Sequence, residues 1–302
     1  MKFKRREFLA RSIVGLGGML LGSKFAAGQE QKTEMFDPYE RVPLGNTKLT
    51  VSRVGFGTGM RGLQRQSNQT RLGKEKFEAL LQAAYERGVR LFDAADLYGT
   101  HPYLARALSK IPREDYVIIS KIWWRPDGLP EKERPDPNVV VKRFLKELDT
   151  DYIDVILLHC VTSAKWPQEL RKQMDILDNL KQKGLVRAHG VSCHSLPALE
   201  AAVNEPWVDS VNTRINAYGT KMDGPPEKVT PVLKKLHGAG KGVVGMKLIG
   251  EGGFRNSDEK RDRSIRYALD LGCVDVMIVG FEKVEEIDDF ALRIRKVLRK
   301  KA

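Results

Sequence analysis

The 302-residue chain has three cysteines, and their placement excludes the chemistry that cysteine often announces. Cys160, Cys193 and Cys273 form no CxxC pair and no zinc-finger spacing, and an odd, sparse set implies no disulfide framework. The five histidines include no HxH or HExxH arrangement, which argues against a metallohydrolase. A thiolate site built from Cys160, Cys193 and His194 is disfavoured too, because the adjacent His159 and Cys160 are expected on opposite faces of one strand. The site is therefore read as metal-free. No internal repeat or low-complexity tract stands out. No apolar run reaches the roughly 20 residues that a membrane span needs.

Positive charge is abundant, at a formal net +13. Part of it is local: Lys2, Lys4, Arg5, Arg6, Arg11 and Lys24 against Glu7 place +5 in the first 28 residues. Elsewhere basic residues are interleaved with acidic ones, as in Lys142-Arg143 with Glu147 or Lys260-Arg261 with Asp262. That is the pattern of solvated helical faces, and no nucleic-acid partner is expected. In the N-terminal segment, Lys4-Arg5-Arg6-Glu7-Phe8-Leu9 resembles a twin-arginine signal. It is followed by a short Gly-rich apolar stretch, residues 12–22, and by Ala26-Ala27-Gly28. Residues 1–28 are read as a twin-arginine signal peptide and residues 29–38 as a linker, with an uncleaved membrane anchor as the alternative. The expected partner is the twin-arginine translocation machinery and the expected location periplasmic. Such signals carry folded proteins, so a cofactor would travel inside.

From about residue 40, strand-like and helix-like segments alternate. Strands are predicted over residues 51–56, 89–94, 116–122, 152–159, 186–192, 208–215, 243–249 and 274–279. Between them, Phe77, Leu80, Leu81 and Ala84 recur at i, i+3, i+4 and i+7. Val141, Phe144, Leu145 and Leu148 do the same, and Ile287, Phe290, Ala291, Ile294 and Val297 repeat the pattern in the last segment. Gly88, Gly184 and Gly272 follow helical runs where left-handed caps belong. Eight such units match an α/β fold, a (β/α)₈ TIM barrel over residues 39–302, better than an open doubly wound sheet. Two connections are long: residues 123–138, with Trp123 and Trp124 as candidate substrate walls, and the Gly-rich residues 250–257.

A barrel would bring strand ends to one rim, where barrels keep their chemistry. Asp93, Lys121 and His159 each close a predicted strand, and Tyr98 lies on the loop just after one. These four side chains outline a proton-transfer site. A free phenol with a pKa near 10 is a sluggish acid, and burial raises that value. A Lys121 ammonium at about 4 Å, with an effective dielectric near 20, would favour the phenolate by roughly 4 kcal/mol. Asp93 would orient that lysine, and a neutral His159 would donate a hydrogen bond to a substrate carbonyl. Taken singly, each residue also has an ordinary structural reading, as an ion pair, a rim aromatic or a core histidine. The literal GxGxxG at Gly57-Thr58-Gly59-Met60-Arg61-Gly62 is discounted, because residues 63–71 are polar and irregular rather than an amphipathic helix.

The block Phe92-Asp93-Ala94-Ala95-Asp96-Leu97-Tyr98-Gly99 resembles the aldo-keto reductases, as do Ser120-Lys121, Asp154-Val155-Ile156-Leu157-Leu158-His159, and Gly184–Arg187 running to Gly190-Val191-Ser192. The likeness extends over roughly residues 40–290. It implies that Asp93, Tyr98, Lys121 and His159 are a catalytic tetrad with Tyr98 as general acid, and that a nicotinamide dinucleotide, NADP with NAD as the alternative, lies across the barrel mouth. By the same resemblance Ser192, Cys193, Thr213, Met246, Lys247, Gly280 and Lys283 would bind the cofactor. Cys193 replaces the usual asparagine, Thr213 stands where glutamine is common, and Met246-Lys247 where an aromatic often stacks. Lys283 would pair with a 2′-phosphate, against the adjacent Glu282. The implied activity is hydride exchange between that cofactor and a small-molecule carbonyl or alcohol. Because free reduced cofactor is not expected to be supplied outside the cytoplasm, export adds the expectation of a tightly held cofactor recycled by two coupled half-reactions, with sugars as candidate substrates. A non-catalytic nucleotide- or ligand-binding barrel derived from this family is the alternative.

Overall fold

Eight strands that are apolar on both faces must be covered on both faces, and a closed parallel barrel wrapped in helices does this. The structure, a computed structural model, describes residues 34–299; the expected signal segment lies outside the described residues. A hairpin of β1 (Arg41–Pro43) and β2 (Thr50–Ser52) comes first. The barrel then runs through β3 (Val54–Gly57), α1 (Lys74–Glu86), β4 (Leu91–Asp93), α2 (His101–Leu108), β5 (Val117–Ile122), α3 (Pro137–Leu148) and β6 (Ile153–Val161). It continues with α4 (Trp166–Glu169), α5 (Arg171–Gln182), β7 (Val186–Cys193), α6 (Leu196–Asn204), β8 (Ser210–Arg214), α7 (Pro226–Gly238), β9 (Gly242–Met246), α8 (Asp258–Asp270), β10 (Val276–Val279) and α9 (Val284–Ile294). Strands β3 to β10 pair in parallel and in sequence, and β10 closes on β3. No described helix is long and apolar enough to cross a membrane.

Every predicted strand overlaps a barrel strand. The first one differs in detail: Val51 belongs to the hairpin, and the barrel strand starts at Val54. Only Arg53 separates the two, so they read as one apolar run. The helical stripes bury as their spacing demands, with Phe77, Leu80, Leu81 and Ala84 inward on α1. Gly88 follows α1 at φ +110°, a conformation that glycine adopts without a Cβ penalty.

Two shells of side chains result. Phe77, Val141, Phe144, Leu177 and Ile287 belong to the shell between barrel and helices. Leu91, Ile119, Val155, Leu157, Val244 and Val276 fill the barrel, joined by Leu44, Leu49 and Val51 from the hairpin. The hairpin therefore plugs the end where the strands begin, and the Asn46 amide donates to the Gly240 carbonyl at 2.7 Å there. Within the stretch expected as a linker, the Phe36 amide bonds the Val297 carbonyl at 3.1 Å, and Glu34 accepts the Arg299 amide at 2.8 Å. Plugging one end leaves the other as the way in. Truncating the plug with Leu49→Ala should cost about 3 kcal/mol of unfolding free energy by denaturant titration, and a loss under about 1 kcal/mol would show that the barrel closes without it.

Candidate active site

Strand alternation aims Asp93 of β4, Lys121 of β5, His159 of β6 and Asn212 of β8 into the open end of the barrel. Lys121 is 1% exposed, and Nζ donates to both Asp93 carboxylate oxygens at 2.6 Å and to the Ala94 carbonyl at 2.8 Å. Asn212 Nδ2 donates to Asp93 Oδ1 at 3.0 Å. Burial lowers the lysine pKa while Asp93 opposes it. The ammonium is thus spent on Asp93 and a backbone carbonyl.

Tyr98 ends a 3-10 turn, Asp96–Tyr98, that follows β4 and is closed by Gly99 at φ +65°. The GxGxxG loop packs on its ring. A Cβ on Gly59 would lie 2.2 Å from Tyr98 Cε2, and one on Gly62 2.3 Å from Cδ1. The two glycines are therefore a mould for the tyrosine, a role that a search for a phosphate-binding fingerprint does not consider. Tyr98 Oη lies 3.5 Å from His159 Nε2, and the two rings meet edge to face at 5.7 Å. Lys121 Nζ is 5.2 Å from the Tyr98 ring centroid.

Burial, then the charge of Asp93, then Cys160, raise the Tyr98 phenol well above its ordinary value. The lowering expected from Lys121 is not what emerges, because the lysine's partner carboxylate offsets its field. Tyr98 stays protonated and able to donate. Burial, helped by Lys121, His194 and Lys247, pushes His159 well below the usual imidazole range. His194, 6.0 Å away ring to ring, is lowered to about 3 by burial and Arg214.

The turn carrying Tyr98 is also held from behind. Asp96 is buried and accepts from Arg143 Nη2 at 2.8 Å and from Arg65 Nε at 3.1 Å. Arg143 reaches on to Glu147, which faces His101 Nδ1 at 2.7 Å, and His101 Nε2 meets Ser120 Oγ at 2.8 Å. This relay connects the tyrosine turn to α3, α2 and the residue beside Lys121.

The remaining sequence-based candidates divide. Ser192 pairs in register with Asn212 and shares its inward face; the buried Ser192 Oγ and Asn212 Oδ1 have no hydrogen-bond partner in the protein. Met246, Lys247 and Gly280 line the cavity described below. Cys193 and Thr213 do not: each follows an inward residue on its strand and so turns outward, Cys193 into the shell beneath the helices. The phase is off by one residue, and Asn212, the inward neighbour of Thr213, is the polar side chain that the sequence reading missed. Lys283 is exposed and outside the cavity lining. Trp123 stands edge-on to His159 at 5.2 Å, in a cluster with Leu97, Leu129 and Tyr98. Trp124 instead donates from Nε1 to the His159 carbonyl at 2.7 Å, acting as a brace. A register shift in β6 puts Cys160 at φ +60° and packs it beside Tyr98, not on the face opposite His159.

A cavity of about 730 Å³ opens at this site. Its lining includes Asp93 and Tyr98, Gly57, Met246, Lys247 and the Gly250–Gly253 loop, and Asn68, Arg255 and Glu282. Lys247 Nζ holds Glu251 at 2.8 Å across that loop. Among the described residues no cluster of three or more His, Cys, Asp or Glu is placed to hold a metal. Burial lowers both imidazoles, His194 to about 3, so both are expected to be neutral near pH 7. Imidazole nitrogen shifts followed by NMR should be flat around that pH; a midpoint near 6.5 for either would contradict the burial described.

Over residues 53–264 the chain matches the model of the aldo/keto reductase family. A methylglyoxal reductase of Salmonella typhimurium is 30% identical over 172 residues, covering 55% of this chain and 56% of that protein. An NADH-specific methylglyoxal reductase of Escherichia coli is 28% identical over 169 residues, covering 51% and 52%. The chain thus spans about half the length of these curated relatives. Among solved structures, an aldo-keto reductase from Pseudomonas aeruginosa superposes with a TM-score of 0.69 at 23% identity, over 87% of this chain and 98% of that one. One from Klebsiella pneumoniae, in complex with NADP and acetate, gives 0.64 at 18%, over 86% and 92%. The barrel fold is common to this chain and these two solved structures. With the family model spanning most of the barrel, this chain belongs to the aldo/keto reductase family.

Proposed function

We propose that the chain is an oxidoreductase that exchanges hydride between a nicotinamide dinucleotide, NADP or NAD, and a small carbonyl compound or the corresponding alcohol. The observation that carries this is the convergence of Asp93, Lys121, Tyr98 and His159 beside a cavity that Asp93 and Tyr98 line. The relatives' names support it: one is a methylglyoxal reductase, and another is specific for NADH. The site's own residues fit such a cofactor. Ser192 Oγ and Asn212 Oδ1 are buried polar atoms awaiting a partner, and an amide group satisfies both a donor and an acceptor. Met246 and Gly280 would border it, with Lys247 and Arg61 offering positive charge along the cavity.

When bound, the dinucleotide supplies or accepts the hydride at the carbonyl carbon. Tyr98 donates its hydroxyl proton to the carbonyl oxygen in reduction and takes it back in oxidation. A phenol held protonated is suited to the first direction. His159, neutral and 3.5 Å from the phenol, donates to the same oxygen and fixes its approach. Asp93 and Lys121 place a compensated charge pair beneath the ring, which responds to the phenolate without being able to leave. Trp123 closes the substrate side and keeps water from His159.

The N-terminal pattern Lys4-Arg5-Arg6-Glu7-Phe8-Leu9 supports export by the twin-arginine machinery and a periplasmic site of action. Separating cofactor from its cytoplasmic supply favours a tightly held dinucleotide recycled by two coupled half-reactions. A bound dinucleotide that washes off within seconds would refute that last point.

Tyr98→Phe should lower carbonyl reduction about a thousandfold while dinucleotide affinity is retained. A variant of undiminished rate would remove Tyr98 from the reaction, and a wild-type chain that binds dinucleotide but reduces no carbonyl would favour a non-catalytic barrel. Gly59→Ala, which forces the Tyr98 ring aside, should cost about a hundredfold in turnover with little change in melting temperature. An unaltered rate would mean that the ring is not held by the glycine loop.

A further inference from the structure

Asp93 and Tyr98 mark the reactive part of the cavity, so the nucleoside half of a dinucleotide would lie against other parts of the lining, among them the connection where β10 passes into α9. What that connection presents is a carboxylate. Glu282 faces the cavity together with Asn68 and Arg255. Its Oε1 accepts from Asn68 Nδ2 at 3.1 Å and its Oε2 from Arg255 Nη2 at 2.6 Å.

A phosphate ester at this position would need two kinds of group: a free guanidinium or ammonium, and backbone amides at the start of a helix. Both are taken. Arg255 Nη2 also donates to Glu286 Oε1 at 2.6 Å, so one cation sits between two carboxylates. The backbone amide of Glu282, just ahead of α9, donates to Glu286 Oε2 at 2.7 Å. Glu286 therefore occupies with its own carboxylate the place that a phosphate would take at the helix N-terminus. Three other cations are near in sequence or space: Lys283 is exposed and outside the lining, Arg71 donates to Asn68 Oδ1 at 3.3 Å from outside it, and Arg61 lines the cavity on the loop that packs against the Tyr98 ring, away from Glu282's own partners. A vicinal diol meets the opposite reception, because a carboxylate accepts from hydroxyls, which is how an acidic residue selects an unphosphorylated ribose in other dinucleotide folds.

We infer that Glu282, with Glu286 filling the start of α9, makes this chain selective for the dinucleotide that carries a free ribose diol, NAD(H), over its 2′-phosphorylated form. The inference rests on the dinucleotide reading of the cavity proposed above. It replaces the role expected of Lys283 by one for its neighbour.

Equilibrium titration of the purified protein with NADH and with NADPH, followed by cofactor fluorescence, tests it without any turnover. The expected result is NADH affinity at least about tenfold the NADPH affinity, the size of effect that one misplaced like charge produces. Glu282→Gln keeps a side chain of the same shape to meet Asn68 and should narrow that gap at least about fivefold, chiefly by improving NADPH binding. Lys283→Ala should leave both affinities unchanged. Wild-type preference for NADPH, a gap unmoved by Glu282→Gln, or loss of NADPH affinity in Lys283→Ala would each overturn the inference while leaving the dinucleotide reading in place. Failure of the wild-type chain to bind either dinucleotide would overturn both.

Discussion

The buried ion pair between Asp93 and Lys121 is the interaction on which the rest of the site depends. Two charges taken from water are costly unless each is fully met, and breaking such a pair typically costs about 3 to 5 kcal/mol. Here the geometry meets them: both carboxylate oxygens, the Ala94 carbonyl and Asn212 Nδ2 complete the set. Three strands, β4, β5 and β8, must therefore stay in register at their C-terminal ends. The hairpin plug at the other end of the barrel works to the same effect by leaving only one open mouth.

Around that fixed pair the remaining groups are tuned by burial more than by charge. Tyr98 is raised and His159 and His194 lowered, in each case with desolvation as the largest cause. The outcome is a site of neutral donors above a compensated ion pair, suited to passing a proton to a developing alkoxide. Its precision comes from unremarked residues. Gly59 and Gly62 shape the tyrosine's bed, Asp96 ties its turn to two arginines, and Trp124 braces the His159 carbonyl.

Much of this was legible in the sequence, for a physical reason: strand and helix periods are local, and a barrel of eight units converts strand order directly into a ring of strand ends. Asp93, Lys121 and His159 could be placed on one rim from spacing alone. What spacing does not carry is phase at a strand's end and the conformation of long loops. Spacing points to Thr213 where Asn212 faces inward, and the bulge at Cys160 reverses the side expected from simple alternation. The GxGxxG run reads as idle in the sequence because its partner, the Tyr98 ring, lies some 40 residues away. Lys283 and Glu282 are adjacent, and only the packing of the β8-to-α9 half of the barrel mouth decides which one reaches the cavity.

In the proposed function, hydride passes between the dinucleotide and a carbonyl carbon beside Tyr98. The most direct measurement is isotopic: incubate the protein with nicotinamide dinucleotide deuterated at C4 and a small aldehyde, and examine the alcohol by NMR. The account predicts deuterium on the carbinol carbon, transferred from one face of the nicotinamide only. Bound dinucleotide with no deuterium in the alcohol would contradict it and leave a barrel that binds without reacting.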